Sequence, residues 1–195
     1  MSRSSKLTYV TGDLFAAPPN SILVHACNAS ATWGAGIAKA FRGKYPAAFE
    51  IYKAHCKASS PDGLVGTCLL IRNEGRDAGA GAQGQGQYAQ GHDIACLFTS
   101  PRRGRGRAGP KKDAPEDILN ATTSAVTHLL LQNQEGKALH AWFVASSDLI
   151  TSVVSLIARS RINSGKFAIP WESTAAVLDG LQVEMVVYDP VEAKP

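Results

Sequence analysis

Apolar residues along this chain fall into short runs and helical stripes that alternate. Leu7–Val10 (LTYV) and Ile22–Ala26 (ILVHA) are brief β-favouring runs, separated by GDLF and the turn sequence Pro18-Pro19-Asn20. Small residues (CNASATWGAG) then give way to IAKAFRGKYPAAFEIYKAHCKA. There Ile37, Phe41, Phe49, Tyr52 and Cys56 recur at near-helical spacing, and Pro46 suits the first turn of a second helix. Val65–Arg72 and Ile94–Ser100 read as buried strands. A helix is predicted from Pro115 through EDILNATTSAVTHLLLQNQ, with Ile118, Ala121, Ala125, His128, Leu129 and Gln132 on one face and acidic residues in its first turn. His128 reads as a surface or half-buried helix residue rather than a ligand. Pro170–Leu181 predicts a further helix, stopped near Gly180, and VEMVVYD a last strand. The order β–β–α–β–β–α–β–α–β predicts an α/β fold with a mixed sheet covered by helices on both faces.

Composition narrows this picture. A chain of 195 residues with 45% hydrophobic content has room for one α/β core, so residues 1–195 are expected to form a single domain. Two stretches are too poor in apolar residues to pack: the glycine- and glutamine-rich tract near 74–92, and the basic stretch near 101–113. Both are expected to be flexible insertions. The basic stretch, PRRGRGRAGPKK, accounts for the net charge of +4, and the remainder is close to neutral. No aromatic residue interleaves it, so base stacking is missing and a solvated loop is expected rather than a nucleic-acid site. Positive charge would still attract an anionic nucleotide.

Cys27, Cys56, Cys68 and Cys96 form no C-x-x-C pair, and no secretory apolar region opens the chain. Free thiols in a reducing compartment, cytoplasmic and/or nuclear, are expected, with Cys68 and Cys96 as small buried hydrophobes and no zinc or other metal. Residues 138–158 are long enough to span a bilayer. They contain His140, Asp148 and five serine or threonine residues, and an aspartate near the centre of a span costs about 2.5–3.5 kcal/mol. A buried strand or helix pair is expected there, and no membrane.

Three strand-to-helix junctions carry residues suited to chemistry, and ligands in such folds bind where loops leave the strand ends. At Gly12-Asp13-Leu14-Phe15, the Asp13 carboxylate either caps a short helix or accepts a hydrogen bond from a ligand amino group. At the second, His25-Ala26-Cys27-Asn28 leaves a strand and Trp33-Gly34-Ala35-Gly36-Ile37-Ala38 opens a helix, where backbone N–H groups and the helix dipole favour a diphosphate. It matches neither a Walker loop nor G-x-G-x-x-G. The third junction, Arg161 through Phe167 followed by Pro170-Trp171-Glu172, again joins a strand end, small residues and a helix start. Two anion-friendly loops suggest a clamped diphosphate; ordinary glycine turns are the plainer alternative.

In that order, GDLF, VHACNASATWGAGIAKAF, CLFTS and INSGKFAIPWESTAAVL resemble the macro domain family and, within it, the fungal ADP-ribose 1''-phosphate phosphatase group. The similarity runs from Leu7 to about Tyr188. It implies a three-layer α/β/α sandwich with a mixed central sheet and a cleft for ADP-ribose. Asp13 then matches the adenine contact, with Gly12 and the Leu14 backbone beside it, and Asn28 faces the distal ribose. Gly34, Ala35, Gly36 and Ile37, flanked by Trp33 and Ala38, match one diphosphate loop. Ser164, Gly165, Lys166 and Phe167, preceded by Asn163, match the other. His25 matches a histidine associated with catalysis, so His25 and Asn28 are the expected catalytic pair.

The implied activity is hydrolysis of ADP-ribose 1''-phosphate, a by-product of tRNA splicing in the family's biology, with hydrolase and protein phosphatase as class terms. ADP-ribose 1''-phosphate or ADP-ribose is the expected partner, no cofactor is implied, and a monomer is expected. From the residues alone, His25 is either a buried histidine at a strand end or a general acid–base, a contribution of about 10²–10⁴-fold. No second acid or base matches, and Asp148 lies in surroundings unlike the family's. The stretch near 138–158 is longer and more apolar than the resemblance leads one to expect, an insertion or a retained intron. Two other readings use the same cleft: removal of ADP-ribose from modified proteins, against which bulky Trp33 speaks, and a non-catalytic ADP-ribose-binding module.

Overall fold

In the computed structural model of the chain, the structure describes residues 4–72, 91–100, 105–106, 109–110, 113–142, 162–163 and 169–189. Strands β1 (Leu7–Thr11), β2 (Ile22–Asn28), β3 (Cys68–Ile71), β4 (Asp93–Ser100), β7 (Leu139–Trp142) and β8 (Met185–Asp189) form one sheet in the order β1-β8-β7-β2-β4-β3. A separate two-residue ribbon pairs β5 (Arg105–Gly106) with β6 (Gly109–Pro110). All neighbours in the large sheet are parallel except β3, which runs antiparallel to β4. Helices α1 (Gly36–Lys44) and α2 (Pro46–Ala58) cover one face, and α4 (Pro115–Gln132) and α5 (Trp171–Gly180) cover the other. A four-residue helix, α3 (Pro61–Leu64), links α2 to β3. The result is the expected α/β/α sandwich with a mixed sheet.

Side-chain alternation builds the two cores. Along β2, Leu23 and Cys27 enter the cluster under α1 and α2, while Ile22 and Val24 enter the one under α4 and α5. Pro46 does open α2, and Phe41, Phe49, Tyr52 and Cys56 are buried. On α4 the buried stripe is Ile118, Ala121, Thr122, Ala125, Val126 and Leu129, whereas His128 is exposed. His128 Nδ1 accepts the Cys68 N–H at 3.1 Å, and Gln132 Nε2 donates to the Cys68 carbonyl at 2.9 Å. These side chains satisfy the backbone of an edge strand that otherwise faces water.

Ile162 and Asn163 form a turn, and the residues leading into it from 143 to 161 lie outside the described residues. The predicted insertion near 74–92 overreaches, because His92 is buried and bridges the Tyr45 hydroxyl (2.8 Å) and the Ala17 carbonyl (2.9 Å). The rest of that tract, the side chains of the basic stretch, and the segment after Trp142 with Asp148 lie outside the described residues. Among the described residues, no helix is long and apolar enough to cross a membrane.

Buried polar groups are handled unevenly. Asp93 is 4% exposed and accepts hydrogen bonds from Arg72 Nη1 and Lys137 Nζ, each at 2.8 Å. A buried carboxylate is tolerated when paired in this way. His140, on β7, is also 4% exposed, yet neither ring nitrogen has a hydrogen-bond partner among the described residues. Burial lowers its pKa below the ordinary imidazole value, and nearby His92 adds to the effect.

The sign of the resulting pH dependence follows. The unfolded chain protonates this histidine near pH 6.5 while the folded chain resists, so its stabilisation is complete above about 6.5 and is lost as pH falls. We expect the urea midpoint to drop on acidification below that pH, and His140→Leu to flatten the dependence. Equal slopes in the two proteins would show that His140 is not its source.

Candidate active site

The C-terminal ends of the parallel strands share one edge of the sheet, and the loops bearing the expected site residues leave from it. After β1, Gly12 N donates to the Asp189 carbonyl at the end of β8 (2.8 Å). Asp13 follows, half-buried, and its Oδ1 accepts the Phe15 N–H at 3.0 Å, capping a single 3-10 turn (Leu14–Ala16). The capping alternative is therefore realised. The second carboxylate oxygen has no partner among the described residues and remains available to a ligand amino group. Leu14 and Phe15 are buried and anchor the turn.

β2 ends in a register slip. Cys27 pairs with Phe98 and Asn28 with Ser100, so Thr99 drops out of the ladder. Asn28 Oδ1 accepts the Ser30 N–H at 2.9 Å, and the Tyr52 hydroxyl donates to its carbonyl at 2.7 Å. These bonds hold Asn28 half-buried where the strand becomes a loop. Beyond it, α1 starts with no side-chain cap at its N-terminus. Gly34 is exposed, and a methyl group added to its Cα would meet no atom within 4 Å, while Ala35, Gly36, Ile37 and Ala38 are half-buried. Gly36 has φ of 55°, a left-handed conformation that admits glycine readily and other residues poorly. Asp13, Asn28 and the start of α1 thus all belong to loops at one edge, with backbone donors and a helix dipole suited to an anion.

Two expected ligand contacts are placed elsewhere. Trp33 is 1% exposed and points inward, stacking on Tyr52 (5.0 Å, 27°) and packing against Phe41 and Phe49. Its bulk fills the core, so it neither narrows a ribose pocket nor argues against a protein-linked substrate. Asn163 is wholly buried, with its side chain bonded to Thr99 and Thr122. Both lie within ligand-loop motifs, which is what suggests ligand contact from the sequence; both are buried in the interior instead. Ser164, Gly165, Lys166 and Phe167 lie outside the described residues.

His25 is 2% exposed. Its ring stacks on Phe41 (4.3 Å, 15°) and meets the edge of Trp33 (4.9 Å, 76°). Its polar neighbours are thiols: Cys27 Sγ lies 3.5 Å from Nδ1 and 3.6 Å from Nε2, and Cys96 Sγ lies 3.8 Å from Nε2. Burial works to raise the Cys27 pKa, but the hydrogen bond with Cys96 and the nearby His25 outweigh it and bring the thiol down to about 6. Burial and the Cys27 neighbour push Cys96 well up. Among the described residues these three side chains bring metal-ligand atoms within 4.8 Å of one another. Each is packed in the aromatic core.

Sequence reasoning missed the pairing of Ser100 with Asp113. Ser100 Oγ donates to the Asp113 carboxylate at the C-terminal end of β4. Asp113 and Thr99 line a depression of about 230 Å³ with Asp62, Val65, Asp117 and Ile118. The motif CLFTS already pointed at this strand end; the partner Asp113 is supplied by chain reversal after it.

Comparison with known proteins places this arrangement. The Macro domain model matches residues 24–78. A Chaetomium globosum protein named ADP-ribose 1''-phosphate phosphatase is 44% identical over 179 residues, covering 91% of this chain and 85% of that protein. One of the same name from Meyerozyma guilliermondii is 37% identical, covering 94% and 98% respectively. Those names specify a nucleotide-sugar phosphate, and nothing supports the class term protein phosphatase. Among solved structures, the macrodomain of Mycobacterium tuberculosis DarG aligns with a TM-score of 0.57 at 20% identity, covering 96% of this chain and 100% of that one. Thermosipho africanus DarTG in complex with ADP-ribose aligns with a TM-score of 0.59 at 17% identity, covering 97% of this chain and 43% of that one. At these identities the structures share the fold.

The placement of Trp33 has a direct consequence for stability. Trp33→Ala should cost about 3–5 kcal/mol of unfolding free energy, with Trp33→Phe retaining much of it. Urea denaturation checks this, and an unchanged midpoint for the alanine variant would mean the indole is not a core residue.

Proposed function

Because the chain belongs to the macro domain family and to its ADP-ribose 1''-phosphate phosphatases, we propose that it hydrolyses ADP-ribose 1''-phosphate. Water enters, and ADP-ribose and inorganic phosphate leave. The observation that carries this reading is 44% identity, over 91% of the chain, to a protein named ADP-ribose 1''-phosphate phosphatase. The strand-end loops agree with it chemically. The Asp13 carboxylate suits the adenine amino group, Asn28 the distal ribose, and the dipole at the start of α1 the diphosphate. Backbone amides of this kind bind and orient phosphates without reorganising, which is a positioning and electrostatic contribution.

Proton transfer falls to His25 in this proposal, and its placement makes the assignment demanding. Phe41 and Trp33 close the ring off from solvent, so direct transfer requires the aromatic wall to part when substrate is seated. A ring that stays stacked serves instead to hold the strand that ends in Asn28. The substrate would be the by-product of tRNA splicing, met in the cytoplasm and/or nucleus of a fungal cell by a monomeric enzyme. A non-catalytic module for ADP-ribose is the second reading, and the burial of His25 is what favours it: such a module needs the loops but no acid or base.

Phosphate release from ADP-ribose 1''-phosphate, measured beside calorimetric binding of ADP-ribose, decides between them. We expect turnover in the native protein. In His25→Ala, a loss of about 10²–10⁴-fold in turnover with ADP-ribose affinity retained is expected for acid–base work. Parallel loss of affinity and turnover would reduce His25 to packing, and binding without any native turnover would leave the module. Asp13→Ala should weaken ADP-ribose binding in either case.

A further inference from the structure

Parallel pairing of β2 with β4 gathers His25, Cys27 and Cys96. His25 faces Cys96 across the ladder, and Cys27, two residues on, projects from the same face of β2 as His25. All three side chains are at most 3% exposed. Among the described residues, the two sulfurs are the only groups near the imidazole nitrogens: Cys27 Sγ lies 3.5 Å from Nδ1 and 3.6 Å from Nε2, and Cys96 Sγ lies 3.8 Å from Nε2. A thiol is a weak donor and a weak acceptor. Hydrogen bonding therefore satisfies this buried imidazole poorly, whereas two sulfurs and one nitrogen make a good ligand set for a soft metal.

The spacing fits an ion. The three ligand atoms lie within 4.8 Å of one another. A point equidistant from Nε2 and the two sulfurs is about 2.1–2.4 Å from each, and metal bonds to imidazole nitrogen and thiolate sulfur are about 2.0–2.3 Å. No strand has to move. Cys27 Sγ is almost equally far from both nitrogens and so sits toward the ring face; turning the imidazole about its Cβ–Cγ bond aims the Nε2 lone pair at that point.

Charge selects the kind of ion, because an unbalanced charge in this aromatic setting is costly. Burial works to raise the Cys27 pKa, but Cys96, His25 and the Trp33 indole outweigh it and bring the thiol to about 6. Cys96 is pushed well up by its burial. One thiolate, one thiol and the neutral imidazole that a metal takes carry a single negative charge, which a monovalent ion cancels. A divalent ion needs both thiols ionised for the same balance. Zinc also takes four ligands, and among the described residues no fourth His, Cys, Asp or Glu atom joins these three.

We infer that His25, Cys27 and Cys96 form a binding site for one Cu(I) ion, buried between β2, β4 and α1. This departs from the expectation of no metal, which came from the missing C-x-x-C pair; ligands on two paired strands need no such spacing. Phe41 and Trp33 cover the ring, so the ion enters only when that wall opens. Once bound, it occupies the His25 nitrogen.

The test titrates the reduced full chain with Cu(I), under anaerobic conditions, against the chromophoric chelator bicinchoninate. Cys27→Ala and Cys96→Ala are compared with the native protein, with Cys56→Ser as control. We expect one equivalent bound by the native and Cys56→Ser proteins. Each alanine variant should lose more than about tenfold in affinity, the smallest effect expected even of a residue that only supports a ligand. X-ray absorption of the loaded native protein should show two sulfur neighbours and one nitrogen, a readout that stands if an alanine variant does not fold. No binding by the native protein, native affinity in both alanine variants, or a spectrum with fewer than two sulfurs or no nitrogen overturns the inference. Phosphate release plays no part in these readouts, so this inference and the proposed function fail separately.

Discussion

β2 is hydrogen-bonded in parallel to β7 on one side and to β4 on the other, and helices cover both of its faces. A strand in that position has little contact with water, so most of its residues must be apolar or matched on both faces. Much of the architecture follows from this. Parallel neighbours require the chain to return over a face between strands, which puts α1 and α2 on one side and α4 and α5 on the other. The same parallel order brings the strand C-termini to one edge, where Asp13, Asn28 and the start of α1 emerge from loops. That shared edge is a consequence of how the centre is buried.

Burial of the centre also sets the terms for polar groups. Asp93, His92 and Asn163 sit in the interior with specific partners, and each ties two or more elements together. His140, the indole nitrogens of Trp33 and Trp142, and the Thr174 hydroxyl have none among the described residues. An unpaired buried group costs about 1–3 kcal/mol, so these positions weigh against stability. For His140 that cost becomes dependent on pH, because protonation raises it further. His25 differs from both classes, since its polar neighbours are two thiols in an otherwise aromatic setting.

Trp33 and Asn163 follow one logic. Each lies within a loop motif, and each buries a large or doubly bonded side chain in the interior. They do so on opposite faces of the sheet: Trp33 belongs to the cluster under α1 and α2, while Ile162, beside Asn163, belongs to that under α4 and α5. A loop that offers backbone amides to a ligand has little stiffness of its own. Side chains buried in a packed core supply the stiffness that the loop backbone lacks, as Trp33 does before α1.

The order of strands and helices, the two-faced burial and the junctions carrying Asp13, Asn28 and Gly36 were all legible in the sequence. Periodicity reports burial directly, and a positive-φ glycine or a capping aspartate acts within a few residues of itself. The direction in which a loop side chain points was not legible. A tryptophan beside Gly34 looks the same in the chain whether it faces a ribose or Tyr52, and Asn163 looks the same whether it meets a phosphate or two threonines. His25 was open for the same reason, since its surroundings come from Phe41, Trp33 and Cys96, the last of them 71 residues away. The register slip that frees Thr99 also arises only from pairing between β2 and β4. Local sequence determines which elements form and where a ligand is met; contacts between distant segments decide which of the residues there face the ligand and which hold the structure around it.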